Sequence, residues 1–343
     1  MEIDPRQALR TVFTESVGVD YPICQAGMGF VAPGRLAGAV SAAGGLGVIG
    51  AGSMNADQLR DEIAVVRDLT DRPFGVDILF AQVKADKTDA VVRYSKGVNR
   101  LIEVTLEERV PVLVAGLGTP AGVLPDAHAQ GMVVMALAGN VRQATRMAAD
   151  GVDILIAQGH EAGGHTGRIG TMALVPQVVD AVDVPVLAAG GIADGRGLVA
   201  ALALGACGVW MGTRFIVSDE ALAHDNYKNR IREIDEEGTV ISRCHSGKPC
   251  RLIRNRFTDS WEGREDEIKP FPLQTIEVGA EAARRARYDG EIEEGGAPAG
   301  QSSGLITETL PAGEIVRRIA AEATEVLTSR LAPPVSGEAR SRR

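Results

Sequence analysis

Eight short apolar runs recur along this chain at intervals of roughly 20 to 40 residues, and that cadence constrains its fold more than any other feature. They lie at Tyr21–Met28, Leu46–Ile49, Phe74–Ile78, Val112–Gly116, Val133–Leu137, Asp153–Ala157, Val184–Ala189 and Gly208–Met211. Strands buried on both faces lose the polar alternation of a half-exposed strand, so uninterrupted apolar runs point to parallel strands covered by helices. Helical patterns fill the intervals. Pro33–Ala43 has a proline at its start and Gly44-Gly45 after its end, Asn55–Leu69 opens on a capping residue, and Val141–Ala149 and Gly195–Leu204 continue the alternation. The expected fold is therefore α/β, a (β/α)8 TIM barrel. An open doubly wound sheet is the alternative, but the eight repeats, and the lack of a Gly-x-Gly-x-x-Gly turn after the first run, favour closure.

After Arg214 the rhythm stops. Ile216 to Pro272 is polar and helical in pattern, with the basic residues Arg243, Lys248, Arg251, Arg254 and Arg256, and Glu277 to Ala297 is charged and glycine-rich. The expected division is a cofactor-binding barrel over 1–215, then a smaller, mainly helical substrate or lid domain over 216–297, inserted after the eighth strand. A return loop and a final helix at Pro311–Leu327 follow within 298–330, packing on the barrel, and 331–343 is a flexible tail. Within the barrel, Gln82–Glu108 reads as one or two helices.

Composition narrows the function classes. A chain of 343 residues with 45% hydrophobic and 24% charged residues is globular rather than disordered, and a net charge of −9 offers nucleic acid no basic face. No apolar run is long enough to span a bilayer, and the N-terminus lacks a basic region followed by an apolar one, so the expected location is the cytoplasm. The four cysteines form no disulfide framework, and Cys244-His245…Cys250 matches no common zinc spacing, so no metal is expected.

In such a barrel the loops after the strands share one face, and reactive groups collect there. Gly190-Gly191 follows the seventh strand and Gly212-Thr213 the eighth. Bare backbone N–H groups in these two turns suit a phosphate, although each glycine pair alone could simply permit a tight turn. The turn after the sixth strand, Gln158 to Gly167, holds two histidines and a glutamate among glycines. His165 is the candidate general base or anion partner, and His160 a secondary one. Glu161 either orients a neighbour or caps the following turn, and His128 looks like an exposed helix position.

Five motifs in order carry a resemblance: Ile23-Cys24-Gln25-Ala26-Gly27-Met28, Ala43-Gly44-Gly45-Leu46-Gly47, Glu161-Ala162-Gly163-Gly164-His165, Ala188-Ala189-Gly190-Gly191-Ile192 and Met211-Gly212-Thr213-Arg214-Phe215. Together they resemble the nitronate monooxygenase family, formerly called 2-nitropropane dioxygenases, over roughly Tyr21 to Leu327. The resemblance implies an FMN barrel with a helical substrate domain after the eighth strand. It implies that Ala26, Gly27 and Met28 lie against the isoalloxazine ring, and that Gln158, Gly163, Gly164, Ala189 and Met211 border the flavin. Gly190, Gly191, Gly212 and Thr213 would hold its phosphate, Gln301 would return to the ring's edge, and His165 falls on the family's catalytic histidine.

Asp77 is a departure, standing near the flavin where many members carry asparagine; an ionised carboxylate there would disfavour anionic reduced flavin. The expected activity is oxidation of an alkyl nitronate by O2 to a carbonyl compound and nitrite. One alternative is an NAD(P)H-dependent FMN reductase acting on an enoyl thioester of coenzyme A or acyl carrier protein, or on a quinone, motivated by the basic run; another is a flavin-binding protein without turnover. The partners expected are small molecules, with a homo-oligomer left open.

Overall fold

The computed structural model describes residues 4–80 and 89–330. The tail expected over 331–343 lies outside the described residues, as does the first part of the Gln82–Glu108 stretch, whose remainder is one helix, Asp89–Glu107. The strands are β1 Ile23–Gln25, β2 Gly47–Gly50, β3 Phe74–Phe80, β4 Val112–Gly118, β5 Val133–Ala138, β6 Ile154–Gln158, β7 Gly164–His165, β8 Val186–Ala189, β9 Gly208–Met211, β10 Thr239–Ser242 and β11 Cys250–Ile253.

Eight of them form one parallel sheet in the order β1-β9-β8-β6-β5-β4-β3-β2, and a parallel bridge between Cys24 and Leu46 joins its two ends into a TIM barrel. The seam between β1 and β2 is short, and a side chain reinforces it. The buried Gln25 amide donates to Val48 O at 3.0 Å and accepts from Val48 N at 3.1 Å, standing in for missing ladder bonds. Successive strand residues divide between two apolar clusters. Cys24, Val48, Val112, Val114, Ile154, Ile156 and Leu187 fill the lumen with Trp210, while Ile23, Ile49, Val76, Ile78, Leu113, Leu155 and Ala188 pack against the outer helices. This two-sided burial is why the runs read as continuously apolar, and each buried Val, Leu or Ile contributes about 1.5–3 kcal/mol. Phe13, fully buried on the helix Val12–Val17, joins the lumen cluster, and Thr11 Oγ1 ties that helix to Cys207 O at 2.7 Å.

Helix boundaries follow local chemistry. Asn55 and Gln58 form a reciprocal capping box at 3.0 and 2.9 Å in front of Ala56–Leu69, and Pro33 precedes Gly34–Ala42. The last helix, Ala312–Glu325, lays Ile315, Val316 and Ile319 into the outer core.

The segment after β9 adds two strands to its expected helices. It contains the helices Asp225–Glu233 and Ala280–Arg287, but between them β10 and β11 pair antiparallel. β11 also pairs with β7, with Cys250 opposite His165 and Arg251 opposite Gly164. A three-stranded ribbon therefore fastens this segment to the turn after β6. Its third strand is two residues long and about 85 positions away in sequence, which no local pattern reveals.

Candidate active site

The turns after the barrel strands and the segment beyond β9 enclose a cavity of about 270 Å³. Ala26, Gly27, Met28, Asp77, Gln158, Glu161, Gly163, Gly164, His165, Ala189, Gly190, Gly191, Met211, Gly212 and Thr213 all line it. Two expected residues do not. His160 turns its ring back on its own loop, with Nδ1 3.0 Å from Gly167 O, and Gln301 is held through its backbone N–H to Glu161 O at 3.0 Å, while its neighbours Gly300 and Ser302 line the cavity instead.

The turns after β8 and β9 leave donors free. None of the backbone N–H groups of Gly190, Gly191, Gly212 and Thr213 has a hydrogen-bond partner among the described residues. Gly190 has φ +97°, and a Cβ there would lie 3.0 Å from Gly159 O, so only glycine brings this backbone to the cavity without strain. Unpaired N–H groups on adjacent strand ends can cradle an anionic oxygen cluster.

His165 is oriented by the segment beyond β9. Its Nε2 lies 2.8 Å from Ser246 Oγ, its backbone O accepts from Gln158 Nε2 at 2.7 Å, and its strand is the ribbon's edge. Burial first, then the Lys248 and Arg287 cations, lower its pKa to about 4, so the imidazole is neutral at pH 7. Glu161 resolves to a cap: its carboxylate accepts from Thr171 N at 3.0 Å and Thr171 Oγ1 at 3.0 Å, at the start of the helix Thr171–Val179. His128, exposed on its helix, meets Asp153 Oδ2 at 3.0 Å.

Asp77 reverses the charge argument made from its sequence position. Its carboxyl is buried in the cavity wall with Oδ1 unpartnered among the described residues, and desolvation raises its pKa well above its ordinary value, which disfavours the ionised form. The basic run is also dispersed. Arg254 pairs with Asp259 and Glu262, Arg256 with Glu294, and Arg243 with Gly247 O, while Arg251 grips His160 O and Thr239 Oγ1. Of the five basic residues, Lys248 has its Nζ 4.7 Å over the Phe271 ring. No continuous basic face results.

Sequence reasoning missed Ser246, Arg287, Tyr227, Phe271 and His245, all lining the cavity from beyond β9. Arg287 is buried; its guanidinium donates to Gly29 O at 2.9 Å and Gly296 O at 3.2 Å, and approaches His245 Nε2 at 3.4 Å. The single hint in sequence was an arginine at the end of an alanine-rich helical stretch. Cys244 and Cys250 are free and buried, and among the described residues no group of His, Cys, Asp or Glu is placed to hold a metal ion.

A family model described as nitronate monooxygenase matches residues 10–322. The chain belongs to the nitronate monooxygenase family. A probable nitronate monooxygenase of Staphylococcus saprophyticus is 35% identical over 353 aligned positions, covering 93% of this chain and 99% of that one. A (3aS,4S,5R,7aS)-5-hydroxy-7a-methyl-1-oxo-octahydro-1H-indene-4-carboxyl-CoA dehydrogenase of Rhodococcus jostii is 41% identical over 254 positions, 74% of this chain and 68% of that protein. The solved structure of a nitroalkane oxidase from Streptomyces ansochromogenes superposes with a TM-score of 0.81 at 32% identity, over 93% of this chain and 99% of that one.

Nitronate monooxygenase family members are flavoproteins, and this member is a flavin-dependent oxidoreductase. Its cavity fits such a group on its own chemistry. Three of the four buried side-chain atoms without a partner among the described residues, Asp77 Oδ1, His245 Nδ1 and Thr275 Oγ1, belong to residues that line it, and the free N–H groups of the two glycine turns lie at one side. No helix among the described residues is long and apolar enough to cross a membrane.

Proposed function

We propose that this nitronate monooxygenase family member holds FMN in the cavity and oxidises small alkyl nitronates with O2 as the terminal acceptor, giving a carbonyl compound and nitrite. The observation that carries the reading is a buried arginine with no acidic partner among the described residues, beside a neutral histidine. The groups that favour the charged form of Arg287 are Tyr227, Cys250 and Tyr288, none of them a carboxylic acid, while burial opposes that charge. An unmatched buried guanidinium costs several kcal/mol, which an anion entering the cavity offsets.

FMN, when bound, supplies the two-electron acceptor. In this reading, the N–H groups of Gly190, Gly191, Gly212 and Thr213 hold its phosphate, and Ala26, Gly27 and Met28 form the surface beneath its ring. Arg287 and Lys248 supply positive potential for the substrate anion, and His165, steadied by Ser246, meets it as a neutral hydrogen-bonding group. An imidazole with a pKa near 4 is a weak base at neutral pH, so a preformed nitronate is favoured over the neutral nitroalkane. Phe271, Tyr227 and Pro298 add largely apolar lining on the side of the segment beyond β9. The test is oxygen uptake by the FMN-loaded protein with a small nitronate. Absence of turnover, with NADPH bleaching the flavin, sinks the reading.

A second reading is favoured by one specific observation, the 41% identity to a dehydrogenase of a carboxyl-CoA compound. In it the same arginine faces the oxygen of a thioester enolate, and NAD(P)H or a thioester exchanges electrons with the flavin. Anaerobic mixing with NADH or NADPH, then with a coenzyme A thioester, separates the two by which compound changes the flavin spectrum.

A further inference from the structure

We propose that Asp77 is a neutral carboxylic acid built into the cavity wall as a fixed hydrogen-bond donor to the ring of the bound flavin, where it tightens binding and eases reduction. The inference rests on flavin occupancy of the cavity and is independent of whether the substrate is a nitronate or a thioester.

The position follows from the strand. Val76 and Ile78 of β3 pack among the outer helices, so Gly75 and Asp77 face the lumen, and Asp77 stands in register with Gly50 of β2 and Val114 of β4. Two bare neighbours make room for the carboxyl. A Cβ on Gly27 would come 2.2 Å from Asp77 Cβ, and one on Gly116 would come 2.3 Å from Asp77 Oδ1. Any side chain at either position would expel the carboxyl from its slot, so the acid and the two glycines work as a unit.

Within that slot the carboxyl lacks what a charged form needs. Among the described residues, Oδ1 is sealed from solvent with no hydrogen-bond partner, the backbone N–H of Gly116 is the group that favours ionisation, and no cation does so. A carboxylate accepts up to four hydrogen bonds and is unstable with one, whereas a protonated carboxyl is itself a donor. Burial pushes the pKa well up in the same direction. The acid thus has a proton to give and no acceptor for it among the described residues. Asp77 lines the cavity and Oδ1 is sealed, so the proton is given from Oδ2 to whatever fills the cavity, and the oxygen and nitrogen atoms of a flavin ring are acceptors that gain electron density on reduction. A fixed donor facing them favours the reduced ring, the opposite of what a carboxylate would do.

Infrared spectroscopy of protein labelled with 13C-aspartate tests this without relying on turnover. At pH 7 the flavin-loaded protein is expected to show a protonated-carboxyl C=O band that is absent in Asp77→Asn and shifts when flavin is removed. Asp77→Asn, which keeps a donor, is expected to hold flavin within about twofold of the parent, and Asp77→Leu at least tenfold more weakly and with a lower reduction potential. Loss of the band, or a band indifferent to flavin while the visible spectrum shows flavin bound, overturns the proposal. Equal flavin affinity and potential in Asp77→Leu overturns it as well. A protein that takes up no flavin fails the occupancy premise, a result the visible spectrum reports separately, and a nitronate that gives no turnover leaves the infrared and affinity results standing by themselves.

Discussion

Titrating His165 examines the electrostatics of the cavity most directly. Burial, Lys248 and Arg287 hold its imidazole at about 4 against an ordinary 6.5. The gap of about 2.5 pH units, at about 1.36 kcal/mol each, means that charging the ring in place costs about 3 kcal/mol, and that about one ring in a thousand is charged at pH 7. Folding depresses this pKa, so between about pH 6.5 and 4 the unfolded chain binds the extra proton. The contribution to stability is complete above about 6.5, declines as pH falls, and levels off below about 4. His245, buried beside Arg287 and also lowered, adds a term of the same sign.

The assay is NMR of the imidazole nitrogens, with His165 assigned by its loss in His165→Asn. A midpoint near 4 is expected in the parent. Lys248→Met removes one of the two nearby cations and should move the midpoint upward, though still below 6.5 because burial persists. In turnover, kcat/KM for a preformed nitronate should show no step from this residue between pH 5 and 8. A parent midpoint at 6 or above, or one that Lys248→Met leaves in place, refutes the reasoning.

Arg287→Gln keeps hydrogen-bonding capacity but removes the charge, and should raise KM for an anionic nitronate by 30-fold or more, following about 2–5 kcal/mol for a truncated buried charge contact, with flavin absorbance retained. A thermal melt checks that the variant folds. Gly190→Ala forces a side chain into φ +97° and toward Gly159 O, so flavin affinity measured by fluorescence titration should fall at least tenfold, from strain of about 1–2 kcal/mol plus displacement of the turn. Glu161→Ala removes the acceptor for Thr171 N–H and should lower stability by about 1 kcal/mol in denaturant unfolding.

Most of the barrel was readable because its signals are local. Ile154 and Ile156 turn inward while Leu155 and Ala157 turn outward, so both faces of one strand had to be apolar, and Asn55 and Pro33 mark helix starts through bonds and angles within a few residues. The division of 216–297 was less readable. The sequence Thr-Val-Ile-Ser of β10 has strand character, but the partners of β11 include the turn at Gly164–His165, and a pairing across that distance leaves no periodic trace. Gln301 illustrates a different limit: its loop reaches the cavity, yet a backbone bond to Glu161 O sets which of its residues line it.

By itself the sequence determined the ring of parallel strands, the glycine turns at the ends of β8 and β9, and the presence of His165 on the turn after β6, because strand burial, backbone freedom and side-chain type belong to short stretches of chain. Tertiary structure alone decided the charges. Asp77 reads as an ordinary acid until Gly27 and Gly116 close around it and its Oδ1 finds no partner among the described residues. Arg287 reads as one arginine of a polar helix until burial sets it next to His245 and His165. Protonation states follow from desolvation and from neighbours brought together from distant parts of the chain, so the turn around His165 acquires its chemistry only when the ribbon delivers Ser246 to Nε2.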